Sequence, residues 1–442
     1  MFKPSGILLG LAGAIALAAC AKEDPILPGK REGIRDVIVD PADIPAPEVA
    51  QNTNRPLALP PVTSNANWTQ SISSPATRTA HPALSSAPSL AWSVPIGAGD
   101  GRKNRITADP VVGNGRVFTL DAEARVTAVS TNGAVLWSTD LVPVNDASKD
   151  ASGGGLAYAD GVVYVSSGFG LMTALDAATG AEVWQQNLRA TGSGAPSVSG
   201  DLVYLVAGDE VAWALDRKDG RIQWQLSATP DINNVMGGPA PAITDKYAIF
   251  AFGSGEMQGA FRKGGLRLWD AQVAGQRPGY SAARIGDITG DPVVVGDRLY
   301  VGSHSGRTVA MNIGNGKRIW TARDGALNPV WPAGDSIFMV SDRNELMRLN
   351  AEDGTKIWGE ELPFFVKDRP RRQAEIFAHH GPIIAGGNLI VASSDAQLRL
   401  FDPASGALRR AVSMPGGATT NPVVAGNTLY VVTTKGQLAA FR

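Results

Sequence analysis

Gly155 to Trp184 reads GLAYADGVVYVSSGFGLMTALDAATGAEVW, and most of the chain after residue 88 is a variation on it. A β-branched and aromatic run, Val162-Val163-Tyr164-Val165, leads into a glycine turn. A second apolar run through Met172, Ala174 and Leu175 follows, then a third strand ending on Trp184. Short runs separated by glycine turns predict an antiparallel meander. In the tail from Ala174 to Trp184, Asp176 is suited to bond turn backbone and Gly180 to take positive φ, while Trp184 supplies a large apolar plate. One such sheet cannot bury both of its faces by itself.

The tail returns with its spacing kept as Ala214-Leu215-Asp216 with Gly220 and Trp224, and as Ala310-Met311-Asn312 with Gly316 and Trp320. It returns again as Leu349-Asn350 with Gly354 and Trp358, and as Phe401-Asp402 with Gly406, where Arg410 stands in place of Trp. An earlier copy, Val129-Ser130 with Gly133 and Trp137, is one residue shorter. The copy on Leu268-Trp269-Asp270 and Gly275 is degenerate, with no Trp at its closing position. Sheet openings repeat too: Asp109-Pro110-Val111-Val112, Ala195-Pro196-Ser197-Val198, Asp291-Pro292-Val293-Val294 and Asn421-Pro422-Val423-Val424. Repeats of this length with several short strands predict propeller blades rather than helical repeats.

The predicted fold is all-β, an eight-bladed β-propeller of four-stranded antiparallel blades over residues 89–442, at about 44 residues per blade. Seven blades is the alternative if the degenerate copy at 239–280 is miscounted. The last repeat stops where a tail ending in Trp should come, and Leu90-Ala91-Trp92-Ser93-Val94 looks like a closing strand without a blade before it. The strand at Trp92 should therefore complete the final sheet. Trp92, Trp137, Trp184, Trp224, Trp320 and Trp358 are expected to dock blade on blade, since a fixed offset is a packing signature. Trp213 and Trp331 are off-register, suited to a surface or the central channel.

Ahead of the repeats, Lys3, the apolar run Gly6 to Ala19 and Leu17-Ala18-Ala19-Cys20 read as a signal peptide over residues 1–19, too short to span a bilayer. Residues 20–88, holding 11 of the 29 prolines from Ala21 on with little periodicity, read as a disordered, semi-stiff tether. A lone cysteine forms no internal disulfide, so packing alone must hold the fold. The formal charge of −1 argues against nucleic-acid binding. No H-E-x-x-H spacing supports zinc, and no G-x-S-x-G nucleophile elbow is present. Glu361 to Arg372, ELPFFVKDRPRR, is an insertion combining aromatics with four basic residues. It suits an interface or acidic headgroups, or else a solvated loop with Phe364 and Phe365 anchored in the core.

The regular tail resembles the tryptophan-docking repeats of quinoprotein-type propellers. With the lipobox-like start, the size and the opening run Ala283 to Val295, ARIGDITGDPVVV, the chain resembles more closely the BamB family of outer-membrane assembly lipoproteins. That resemblance implies a lipid on Cys20 and a place on the periplasmic face of the outer membrane. It implies a non-catalytic scaffold of the β-barrel assembly (BAM) complex, without cofactor or metal, assisting unfolded outer-membrane proteins. Its partners would be the POTRA domains of BamA and other BAM subunits. The family's contact loops match Asp231–Gly238 and Arg284–Thr289 here, which places Ile232, Asn233, Val235, Met236, Arg284, Asp287 and Thr289 at the interface. Asp287 keeps an expected acid. Asn233, Val235 and Met236 stand where the family pattern has Leu, Leu and Arg, and Thr289 where it has a second acid. Read as residues alone, Ile232, Val235 and Met236 are equally suited to tuck under the loop, and Asp287 to cap a turn. The enzyme alternative is a periplasmic dehydrogenase built on pyrroloquinoline quinone (PQQ) and Ca²⁺. That family's adjacent-cysteine disulfide is impossible with a single Cys. A ligand-binding propeller for sugars or peptidoglycan is the third reading.

Overall fold

Eight four-stranded antiparallel sheets follow one another along the chain. The structure is a computed structural model and describes residues 52–191, 194–230, 238–273 and 285–442. Seven sheets use consecutive strands, within residues 111–140, 154–187, 197–227, 242–272, 293–322, 331–361 and 379–413. The eighth takes three strands from residues 423–441 and its outer strand, Leu90–Pro95, from far earlier in the chain. Leu90 lies opposite Phe441 and Pro95 opposite Gln437. The fold is thus an eight-bladed β-propeller, locked where chain-distant strands pair.

Position within a blade explains the sequence pattern. The second and third strands, such as Arg116–Leu120 and Arg125–Ser130, are buried along nearly their whole length. They lie between neighbouring blades, so both faces are apolar and the run reads as continuous. The outer strand, such as Val135–Asp140, alternates between exposed and half-buried, since only one side packs.

Each closing Trp lies on the turn glycine of the next blade. A Cβ built on Gly133, Gly180, Gly220, Gly265, Gly316, Gly354 or Gly406 would meet the ring of Trp92, Trp137, Trp184, Trp224, Trp269, Trp320 or Trp358 respectively, at 2.5–2.9 Å. Only a residue without a side chain admits the indole so closely. All seven rings except that of Trp224 also donate from Nε1 to a carbonyl of the receiving blade, Trp184 to Arg217 at 3.0 Å for instance. The eighth place is filled by Arg410, which is exposed. Its neighbour is the last blade, where the third and fourth strands come from distant parts of the chain and no tight turn exists to receive a ring.

Blade four corrects one expectation. Its turn is at Gly264-Gly265, and Trp269 closes it. The Gly265 amide donates to the Phe261 carbonyl at 2.9 Å, as Gly220 does to Asp216. Phe261 therefore occupies the position where other blades carry a polar residue, which hides the repeat in the sequence.

The tether is the larger correction. Residues 1–51, with the signal peptide and Cys20, lie outside the described residues, but residues 52–88 are packed on the propeller rather than disordered. The innermost strand of each blade presents an unpaired row of N–H and C=O groups toward the axis, and such groups need partners. Residues 65–82 supply them as a belt that visits all eight blades in order. Asn65 bonds Val424 and Gly426 of blade eight. Trp68 exchanges two backbone bonds with Val112 of blade one, and the Thr69 carbonyl accepts from Tyr158 of blade two. The Gln70 amide closes both groups of Val198 in blade three. Pro75 and Ala76 accept from Ile243 and Val294, in blades four and five. Ala80 accepts from the Trp331 indole of blade six, and Pro82 from Gly386 of blade seven. Trp68 is buried and stacks on Trp331 at 6.4 Å, and the Arg78 guanidinium lies 4.6 Å from the Trp331 ring. Trp331 is thus the off-register tryptophan in the channel, whereas Trp213 is buried in the core between blades two and three.

Candidate functional site

The loops joining one blade's outer strand to the next blade's innermost strand gather at one end of the channel, over the belt residue Ser71. Their last residues line a cavity of about 320 Å³ on the axis. The repeated opening residues Asp109, Ala195, Asp291 and Asn421 all reach it, as do Asn328 and His380. Sequence reasoning marked these positions as strand openings and missed that eight-fold symmetry brings them to one point. The signal was the residue before each proline.

Asp109 of blade one and Asp291 of blade five stand four blades apart, across the axis. Between them the Ser71 hydroxyl, from the belt, donates to Asp109 Oδ2 at 3.2 Å and also lies within hydrogen-bonding reach of Asp291. Asp109 also accepts from the Asn421 backbone and side-chain amides at 2.7 and 3.0 Å. Asp291 Oδ1 accepts from the Ala240 amide at 2.8 Å. Burial pushes Asp109 up to about 7 and raises Asp291 as well. Burial also lowers Arg78 to about 10 against the attraction of both carboxylates, and it lowers His380 to about 4. His379 is lowered too, again by burial first, so both imidazoles are neutral at pH 7.

This donor set does not fit a calcium–quinone centre. Among the described residues no group of three or more His, Cys, Asp or Glu side chains is placed to hold a metal. The two carboxylates that face the axis are attracted to the nearby Arg78 guanidinium, whereas Ca²⁺ takes six to eight oxygen ligands.

Of the residues expected at a partner interface, Ile232, Asn233, Val235, Met236 and Arg284 lie outside the described residues. Asp287 is only 2% exposed and lines an inner crevice with Glu210, so its carboxylate is not displayed on the surface. Its backbone carbonyl accepts from His304 at 2.7 Å, which ties the loop to blade five. Thr289 faces the cavity and donates to the Leu327 carbonyl at 2.9 Å.

The insertion after blade six is a β-arm beside the cavity mouth. The Phe377 amide donates to Phe364 and the Val366 amide to Glu375, pairing the two sides. A 3₁₀ turn at Pro370–Arg372 makes the tip. Phe364, Val366 and Ile376 are exposed, as are Lys367, Arg369, Arg371 and Arg372. Phe364 and Phe365 pack edge-on against each other at 4.7 Å and are not anchored in the core.

The family described as "Outer membrane protein assembly factor BamB" matches residues 122–360 and 367–442, leaving out the start of that arm. The protein of this name from Yersinia pestis is 25% identical over 361 residues, which cover 80% of this chain and 89% of that protein. The one from Escherichia coli (strain K12) is 23% identical over 326 residues, covering 62% and 80%. Among solved structures, BamB from Moraxella catarrhalis superposes with a TM-score of 0.66 at 18% identity, covering 80% of this chain and 100% of that one. The quinohemoprotein alcohol dehydrogenase from Comamonas testosteroni gives 0.64 at 16% identity, covering 85% and 80%, so the fold is shared with enzymes also. The family match runs from the first blade to the last, and the chain belongs to the BamB family of outer membrane protein assembly factors.

Proposed function

We propose that this chain is a non-catalytic scaffold of the outer-membrane β-barrel assembly machinery, held at the periplasmic face of the outer membrane by a lipid on Cys20. The observation that carries the reading is the family match over the ring as a whole. The partner is the POTRA region of a BamA-type barrel protein, with other subunits of that complex and unfolded barrel clients around it. Docking uses the interblade loops at 231–238 and 284–289. Ile232, Asn233, Val235, Met236 and Arg284 make the contact, Thr289 flanks it, and Asp287 holds the second loop in place from beneath. Loops on a rigid ring are where a scaffold presents residues to a partner.

A detergent pull-down from native membranes tests this, comparing wild type with Arg284→Glu and with an Ile232/Val235/Met236→Ser triple variant. Wild type should recover the BamA-type barrel. Both variants should lose it while melting as wild type does. A wild type that recovers no barrel protein refutes the scaffold reading. Variants that recover it normally refute the assigned loops.

A further inference from the structure

The axial cavity has a chemistry that scaffolding does not use. Its floor carries two carboxylates facing each other across the axis, with the Arg78 guanidinium attracted to both from outside the lining. Asp291 is 6% exposed, and its carboxylate, which accepts from the Ala240 amide and is approached by the Ser71 hydroxyl, keeps acceptor capacity toward the cavity. The hydroxyl of Thr420, 2% exposed, has no hydrogen-bond partner among the described residues, nor has Nδ1 of His304, and both residues line the same space as Asp291. Buried polar atoms are normally satisfied, so an open hydroxyl and an open ring nitrogen beside a carboxylate pair point to a polar group that belongs there, and a donor is what the carboxylates require. The lining above mixes polar residues such as Asn328, Ser341 and Asn344 with an apolar stretch of Leu327, Val340, Ile376 and Phe377. Acidic floor and apolar stretch together match an aliphatic chain ending in an ammonium group, which carries three N–H donors and no acceptor.

We propose that the open end of the channel binds a protonated alkyl amine, inserted along the axis with its ammonium group at Asp291 and Asp109. Burial raises both carboxylates, and a cation held between them would draw both back down. The amine belongs either to a free diamine or to a lysine side chain of an extended peptide. The proposal stands apart from the barrel-assembly reading and does not depend on the loops that test it.

Isothermal titration of the full chain in detergent decides the matter, with 1,5-diaminopentane, a blocked Gly-Lys-Gly peptide, neutral 1,5-pentanediol and CaCl₂ as probes. Saturable one-to-one binding is expected for at least one amine, with the tighter of the two identifying the source, and none for the diol. Asp291→Asn keeps the acceptor for Ala240 and should weaken amine binding at least tenfold. Thr420→Val, an isosteric change, should weaken it several-fold, and it decides the question if the Asn variant fails to fold. Three results would each overturn the proposal: no saturable amine binding, equal binding by the diol, or affinity unchanged in both variants. Binding of calcium with the amines excluded would overturn it too.

Discussion

Gly220 carries the sharpest residue-scale prediction. Its φ is +73°, and an added Cβ would meet Trp184 at 2.6 Å, whereas Gly161 has a similar φ of +84° with nothing within 4 Å. Ala at either position suffers the backbone penalty, and only at Gly220 must the indole also move. Gly220→Ala should therefore lower the thermal midpoint clearly more than Gly161→Ala, and equal shifts would count against the docking role of Trp184. Trp184→Ala should cost roughly 3–5 kcal/mol through the cavity it leaves, read from denaturant midpoints. Asp109 adds a pH dependence. Its folded pKa of about 7 lies above the ordinary carboxylate value, so the folded state holds a proton that the unfolded chain has released. Stability should then fall as pH rises from about 4 to about 7, and the difference between wild type and Asp109→Asn should narrow or reverse over that window. A constant difference from pH 5 to 7.5 would contradict the burial assigned to this carboxylate. The Gly–Trp spacing was legible in the sequence because each pair recurs at a fixed offset. The burial of Asp287 was not, since it is set by blade three's Glu210 and by blade five, residues with no sequence relation to it.

At the scale of elements, the belt was the part hardest to read. It contains no periodicity because it packs on eight different strands through single residues, and its partners lie up to 359 positions away. Prolines suit this role, since Pro75 and Pro82 are used only as acceptors. Composition alone makes such a stretch look like linker. Gln70→Ala would leave both backbone groups of Val198 buried and unpaired, a loss of roughly 1–3 kcal/mol, measurable as a lower urea midpoint. Trp68→Ala should cost more, since it removes a fully buried ring stacked on Trp331. Insensitivity of the melt to both changes would mean that the belt is held by something other than these contacts. The arm after blade six shows the opposite case: its composition announced an insertion, but exposure of Phe364 followed only from the pairing of Phe364 with Phe377, which holds the arm clear of the core.

At the scale of the molecule, the sequence carried the blade number, the closing strand and the stacking tryptophans except Trp269, because these are properties of a repeat and Phe261 hides that one copy. What it concealed were convergences at the axis, which depend on the ring being complete. Closure itself is testable. A chain beginning after Pro95 would expose the strand Gln437–Phe441, whose Leu438, Ala439 and Ala440 are fully buried in the intact fold. An apolar edge of that kind recruits other strands, so light scattering should show association that the full chain lacks. A monodisperse truncated chain would mean that the ring closes without this pairing and without the belt, which the same truncation removes. The belt has one further consequence, for how such a ring changes over generations. Propellers grow and shrink by copying or losing whole repeats, but here each blade is matched to its own residue between Asn65 and Pro82. A copy gained or lost by recombination would leave one inner strand unstitched, or one stitch with nothing to hold. The belt thus acts as a gauge of circumference, cut to a ring of eight.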